Sequence, residues 1–261
     1  MWRPDGWSTR CRLGVLVPHG DVGPESELRA MAPAAIGIHA ARVPFGAITA
    51  GGVMDPTIPL APVRAFAGPP GVDDATQLLS TAPVQAIGYG FTSSAYVIGA
   101  AGEDAMIARL RDQAGGLPVV APCAAAVTAL HAMGARRVAV VSPPWFDSQL
   151  SDLGRDYYRA AGFEVDFSAS CGLPSGQDLI TPEDLYGWVL AQVPDSVDAV
   201  TIGGNGLRAV GVIEALESAL GRPVLTANQV LLWAMMAVAG ADPHTVNGYG
   251  RVFGTSPDRP V

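Results

Sequence analysis

Three observations predict an α/β fold of two pseudo-symmetric, Rossmann-like halves, with mostly parallel sheets and a cleft between them. Short apolar runs, each stopped by proline or glycine, alternate with segments of helical spacing, as expected of parallel strands covered on both faces. The order of these elements repeats roughly before and after Gly115-Gly116. Two glycine-rich loops of one design each follow an apolar run. Gly88-Tyr89-Gly90-Phe91-Thr92-Ser93-Ser94 follows Ala86-Ile87, and Gly203-Gly204-Asn205-Gly206 follows Asp198-Ala199-Val200-Thr201-Ile202.

In chain order, Arg12 to Pro18 reads as a first buried strand, His19 to Pro24 as its loop, and Glu25 to Ala34 as a helix. Ile36 to Val43 gives a second strand. Residues 46–72, rich in Gly, Pro and Ala, read as a mobile loop or lid. A helix over Asp73 to Thr81 precedes the strand at Ala86-Ile87, and Met106, Ile107 and Leu110 share one face of a helix over Glu103 to Ala114 that Gly115-Gly116 stops. Beyond it come the strand Leu117 to Val120, the helix Pro122 to Met133, the strand Arg136 to Ser142, the helix Ser148 to Ala161 and the strand Phe163 to Phe167. Thr181-Pro182-Glu183-Asp184 is a capping-box-like start for a helix running to about Val193. The remaining strands are Ala199 to Ile202 and Pro223 to Leu225; the remaining helices are Val210 to Leu220 and about Asn228 to Ala239, the last returning to the first half. The division is therefore 1–115 plus 226–261 for the first half and 116–225 for the second. Ligands of such sheets sit at the carboxyl ends of the strands, which places loops 18–23, 89–94, 121–124, 142–146 and 203–206 around one cleft.

Composition narrows the function classes. The chain has 261 residues, 49% hydrophobic and only 15% charged, enough for a sizeable core. A net charge of −8 argues against nucleic-acid or anionic-membrane partners. An anionic substrate would then need local N–H dipoles or a placed arginine. Cys11, Cys123 and Cys171 form no metal spacing and read as reduced thiols of a cytoplasmic protein. The opening residues lack the apolar run of a signal peptide, and the longest apolar stretch, Val230 to Ala239, suits a buried helix rather than a membrane span.

The two glycine loops are the chemical signal. Each is read as a strand–loop–helix cradle, in which glycine lets backbone approach a ligand and helix N–H groups favour an anion. Thr92 and Ser93 on one side and Asn205 and Gly206 on the other would hold a carboxylate. Gly204-Asn205-Gly206-Leu207-Arg208-Ala209 also fits the outline of a dinucleotide loop, but the following strand lacks the acidic residue that binds a ribose.

With its loops laid out in this order, the chain resembles the Asp/Glu racemase superfamily, in its maleate isomerase and arylmalonate decarboxylase branch. The matching segments are Gly14-Val15-Leu16-Val17-Pro18 with Glu25 and Glu27, Gly90-Phe91-Thr92-Ser93, Gly134 to Val140, and Gly248-Tyr249-Gly250-Arg251. The resemblance implies cofactor-independent isomerase or lyase chemistry at a carbon beside the carboxylate of a small organic acid. It also implies two facing cysteines, and by alignment these positions fall at Phe91 and Gly204. A carboxylate-binding asparagine of the family falls at Asp21, and a cleft tyrosine at Pro144, next to Trp145. Phenylalanine and glycine can neither attack nor shuttle a proton, so the acid or base must be a non-thiol group or a relocated thiol. Asp21 and Cys123 are the catalytic candidates; His19, Phe91, Thr92, Ser93, Pro144, Trp145, Gly204, Asn205 and Gly206 are candidate substrate contacts. No cofactor or metal is expected. The alternative is a non-catalytic or repurposed carboxylate-binding protein of the same fold, and a homo-oligomer is left open.

Overall fold

The computed structural model describes residues 6, 7, 9–49 and 52–256. Two four-stranded parallel sheets form its frame. The first contains β1 (Cys11–Pro18), β2 (Ile36–Val43), β3 (Ala86–Tyr89) and β4 (Val119–Val120), in the order β2-β1-β3-β4. The second contains β5 (Arg137–Ser142), β6 (Glu164–Ser170), β7 (Ala199–Ile202) and β8 (Val224–Thr226), in the order β6-β5-β7-β8. The same winding is thus used twice. In each sheet the order reverses at the first strand, so a switch point opens between β1 and β3, and another between β5 and β7. The loops leaving these four strands meet at the cleft, as the rule for open α/β sheets requires, and residues that follow β2 and β6 complete its lining.

The helices are α1 (Gly23–Met31), α2 (Leu60–Phe66), α3 (Gly71–Ser80), α4 (Ser93–Gln113), α5 (Pro122–Ala132), α6 (Ser148–Ala160), α7 (Pro182–Gln192), α8 (Ile213–Leu220) and α9 (Ala227–Val238). Strand β1 buries Leu13, Val15, Leu16 and Val17 completely, which is why it reads as a continuous apolar run. From Val230 to Met236 helix α9 is apolar and buried on every side. Val230 to Met236 are fully enclosed, and α9 packs on α1, α5, β3 and β4. Each such leucine, valine or methionine contributes roughly 1.5–3 kcal/mol by leaving water, and α9 thereby ties the C-terminal segment to the first half. Among the described residues no helix is long and apolar enough to cross a membrane.

Three readings from sequence are revised. Strand β4 pairs with β3 (Ile87 with Val119, Gly88 with Val120), so the first sheet continues past Gly115-Gly116 and the change of half comes later. Residues 46–72 are not one open loop: they contain α2 and the first residues of α3, separated from an isolated bridge between Ile48 and Met54. Residues 50 and 51 of that stretch lie outside the described residues. Finally, no helix follows the second glycine loop directly. A 3-10 turn spans Val210–Val212 and α8 begins only at Ile213, so helix-dipole assistance exists at the first loop alone.

Candidate active site

A narrow cleft between the halves is lined from the first by Pro18, Asp21, Phe45, Ile48, Met54, Ile58, Phe91, Thr92 and Ser93. The second contributes Trp145, Phe146, Gln177, Gly204, Asn205 and Gly206. Most of this wall is apolar. Phe91 packs against Phe45 and Phe66 with ring centroids 4.9 and 4.3 Å away, which makes one side a rigid aromatic surface. A covering segment, residues 45–49 and 52–58, brings Phe45, Ile48, Met54 and Ile58 to the cleft wall and is pinned to the second half at two points. Ile58 N–H donates to the Trp145 carbonyl at 3.0 Å, and Ser175 Oγ donates to the Pro56 carbonyl at 2.7 Å.

Polar groups converge on this apolar space from two loops. On the first, Thr92 is the N-cap of α4 and Ser93 its first residue. Thr92 is already engaged: its N–H and its hydroxyl both donate to Asn205 Oδ1, at 2.8 and 2.6 Å. Ser93 differs. Among the described residues neither its hydroxyl nor its N–H has a protein acceptor, so both can serve a ligand, aided by the helix N-terminus. On the second loop the turn Gly204–Gly206 is held by the bond from Leu207 N–H to the Gly204 carbonyl at 3.0 Å, and its own N–H groups have no backbone acceptor among the described residues. Position 204 requires glycine twice over: its φ is +87°, and an added Cβ would run into the Pro143 ring. Gly206 leaves open the space that Asp21 and Gln177 enter.

Among the described residues Asp21 is the single acid of the cleft lining. Its Oδ1 accepts from Gly23 N–H at 2.8 Å, and Arg42 reaches its backbone carbonyl at 2.5 Å. Burial pushes its carboxyl above the ordinary range, although the Gly23 amide, Gln177 and Arg42 favour the charged form. A carboxyl whose neutral form is favoured by burial gives a proton to a bound anion more readily, and repels it less, than one whose charged form is favoured. No lysine occurs anywhere in the chain, which removes Schiff-base chemistry from consideration.

Other candidates fall elsewhere. Cys123 is buried behind the first loop rather than in the cleft, where its Sγ donates to the Thr92 carbonyl at 3.5 Å. Burial first, and the nearby Glu103 second, raise this thiol well above its usual range, so it stays protonated. Cys11 and Cys171 are also buried and outside the lining. His19 is exposed, and its Nδ1 accepts from Phe45 N–H at 3.1 Å; it braces the covering segment. Pro144 is half-buried beside the lining residue Trp145 without joining the lining itself. Asn205 reaches the cleft, but its side chain is spent on protein partners. Sequence reasoning missed Phe45, Ile48, Met54 and Ile58, whose stretch has no periodicity, and Gln177, which sits on a 3-10 turn (Gln177–Leu179).

Comparison with known proteins agrees with this fold. The sequence model of the arylmalonate decarboxylase family matches residues 70–253. A maleate isomerase of Pseudomonas putida is 27% identical over 239 residues, 89% of this chain and 93% of the relative. An arylmalonate decarboxylase of Bordetella bronchiseptica is 29% identical over 176 residues, 63% of this chain and 69% of the relative. Among solved structures, a cysteine-to-alanine variant of a P. putida maleate isomerase with maleate is similar at a TM-score of 0.82 and 24% identity. That match covers 93% of this chain and 97% of the other.

Proposed function

The chain belongs to the arylmalonate decarboxylase family, and from that premise we propose that it is a cofactor-independent, thiol-free decarboxylase of a substituted malonate. One observation carries the reading: the cleft is lined by no cysteine and holds one acid, Asp21, whose burial favours its neutral form, between an apolar wall and unpaired N–H donors. In this reading the retained carboxylate rests on the Ser93 hydroxyl and N–H and on the turn Gly204–Gly206. The departing carboxylate and the organic substituent face Phe91, Trp145 and the covering segment.

The step balances without a cofactor. The bond from the α-carbon to the departing carboxylate breaks, carbon dioxide leaves, and the electron pair passes to an enediolate of the retained carboxylate. Fixed N–H donors stabilise that charge in a site of low polarity, where such donors act most strongly. The Asp21 carboxyl then gives its proton to the α-carbon and recovers one from water. An apolar wall also favours turning the departing carboxylate into neutral carbon dioxide, while its electron pair moves to the enediolate held by the N–H donors. That a maleate isomerase of similar structure was solved with maleate as a cysteine-to-alanine variant supports diacid binding without one thiol in this fold.

Proton NMR in deuterated water with phenylmalonate, methylmalonate and maleate tests the reading. The expected result is loss of carbon dioxide from a malonate, with one deuterium in the product. Binding of all three acids without turnover would sink it in favour of a carboxylate-binding protein. Isomerisation of maleate alone would move it to the isomerase side of the family.

A further inference from the structure

Glu27, on α1, is buried and tied to both halves at once. Its Oε1 accepts from the N–H groups of Ala209 and Val210 at 2.7 and 3.0 Å. Its Oε2 accepts from Asn228 Nδ2 at 2.7 Å. Asn228, on α9, also donates to the Asn205 carbonyl at 2.8 Å and accepts from Asn205 Nδ2 at 2.7 Å. Asn205 in turn accepts both donors of Thr92. An unbroken chain of hydrogen bonds therefore runs from α1 through α9 and the turn after β7 to the loop after β3.

Its direction is fixed from both ends. Backbone N–H groups only donate, and they stand at Thr92 on one side and at Ala209 and Val210 on the other. Thr92 requires the Asn205 oxygen, which turns Asn205 Nδ2 toward Asn228. Asn228 must answer with its own oxygen, which turns its Nδ2 toward Glu27; the amide orientations follow from this network. Glu27 consequently meets three donors and no acceptor. A carboxylate is the side chain of this length that accepts at both ends. We infer that Glu27 is a positioning residue: its carboxylate, acting through Asn228 and the segment to Val210, holds the turn Gly204–Gly206 at a set distance from Thr92 and Ser93 across the cleft.

This inference rests on the proposed use of those two loops as carboxylate donors, but it can be tested apart from it. Amide hydrogen exchange in the ligand-free protein is compared for wild type, Glu27→Gln and the double variant Glu27→Gln/Asn228→Asp, with phenylmalonate affinity measured alongside by calorimetry. Glutamine matches glutamate in shape, yet its NH2 must face a donor at one end. Exchange at Ala209 and Val210 or at Thr92 should then rise about tenfold or more, with β5 unchanged, and phenylmalonate affinity should fall. The double variant moves the carboxylate one link along the chain and should restore part of the protection, a rescue that a space-filling role would not produce. Asn228→Ala cuts the chain without adding a donor; it should loosen Thr92 while leaving Ala209 and Val210 protected, and it serves if Glu27→Gln does not fold. Wild-type exchange in Glu27→Gln, no recovery in the double variant, or an unaffected Thr92 in Asn228→Ala would overturn the inference. If exchange behaves as described but no variant, nor wild type, binds phenylmalonate, the malonate reading fails and the positioning role stands.

Discussion

The two glycine loops occupy equivalent places in the two sheets yet are built differently. After β3 the chain turns directly into α4, so Ser93 presents its donors from a helix N-terminus. After β7 the turn Gly204–Gly206 leads into no α-helix before residue 213 and is held instead by Thr92 and Asn228 reaching in from the other half to Asn205. Equivalent position therefore does not mean equivalent mechanics. A helix end carries its own dipole and rigidity, whereas an isolated turn needs external partners. Each loop is nevertheless backed by one buried glutamate whose carboxyl is pushed up to about 7 by burial: Glu27 behind the second, Glu103 behind the first. Glu103 receives the Tyr157 hydroxyl and lies beside Cys123, which donates to the Thr92 carbonyl.

The largest expected effect breaks the second loop. Gly204→Ala places a Cβ at φ +87° and against Pro143; the left-handed conformation and overpacking together cost roughly 2–5 kcal/mol. Urea denaturation should show it as a lower midpoint. Glu103 adds a contrast through pH. Its carboxyl rises from the usual 4.5 to about 7 in the folded chain, so between these values the folded state keeps a proton that the unfolded state has released. Its contribution to stability is complete below about pH 4.5, declines as pH rises to about 7, and changes little above that. It accounts for up to about 3 kcal/mol. Glu103→Gln should remove its share of that slope, read from urea midpoints at pH 5 and pH 8. The smallest effect tests the first loop: Ser93→Ala removes one donor and should weaken phenylmalonate binding by about 1 kcal/mol without changing stability.

Much of this architecture was legible in the sequence, and the legible parts share a cause. Strands such as Ile36–Val43 and Ala199–Ile202 are local patterns bounded by local stops, and the apolar run at Val230 announces a buried helix by itself. Strand β4 was visible as a strand but not as a member of the first sheet, because pairing with Ile87 is a long-range fact. The same holds for the site. Asp21, Phe91, Thr92, Ser93, Trp145, Gly204, Asn205 and Gly206 were readable because they follow strands in glycine- or proline-bounded loops, and all line the cleft. Phe45, Ile48, Met54 and Ile58 reach it only through tertiary folding of an aperiodic segment. Cys123 looked like a cleft residue from its place after β4, but its side chain faces the back of the Thr92 loop. Glu27 carried a hint, an acid on the buried face of an amphipathic helix, yet its partners lie 182 and 201 residues away.

In the proposed reaction the proton comes from Asp21 and not from a thiol. Phenylmalonate turnover in two variants, Asp21→Asn and a protein with Cys11, Cys123 and Cys171 all changed to serine, separates the two sources. Loss of a positioned general acid typically costs 10²–10⁴-fold. The cysteine-free protein should therefore keep its turnover within about threefold of wild type, while Asp21→Asn falls by about a hundredfold or more and still binds the acid. Turnover that survives Asp21→Asn but disappears with the cysteines would contradict the account.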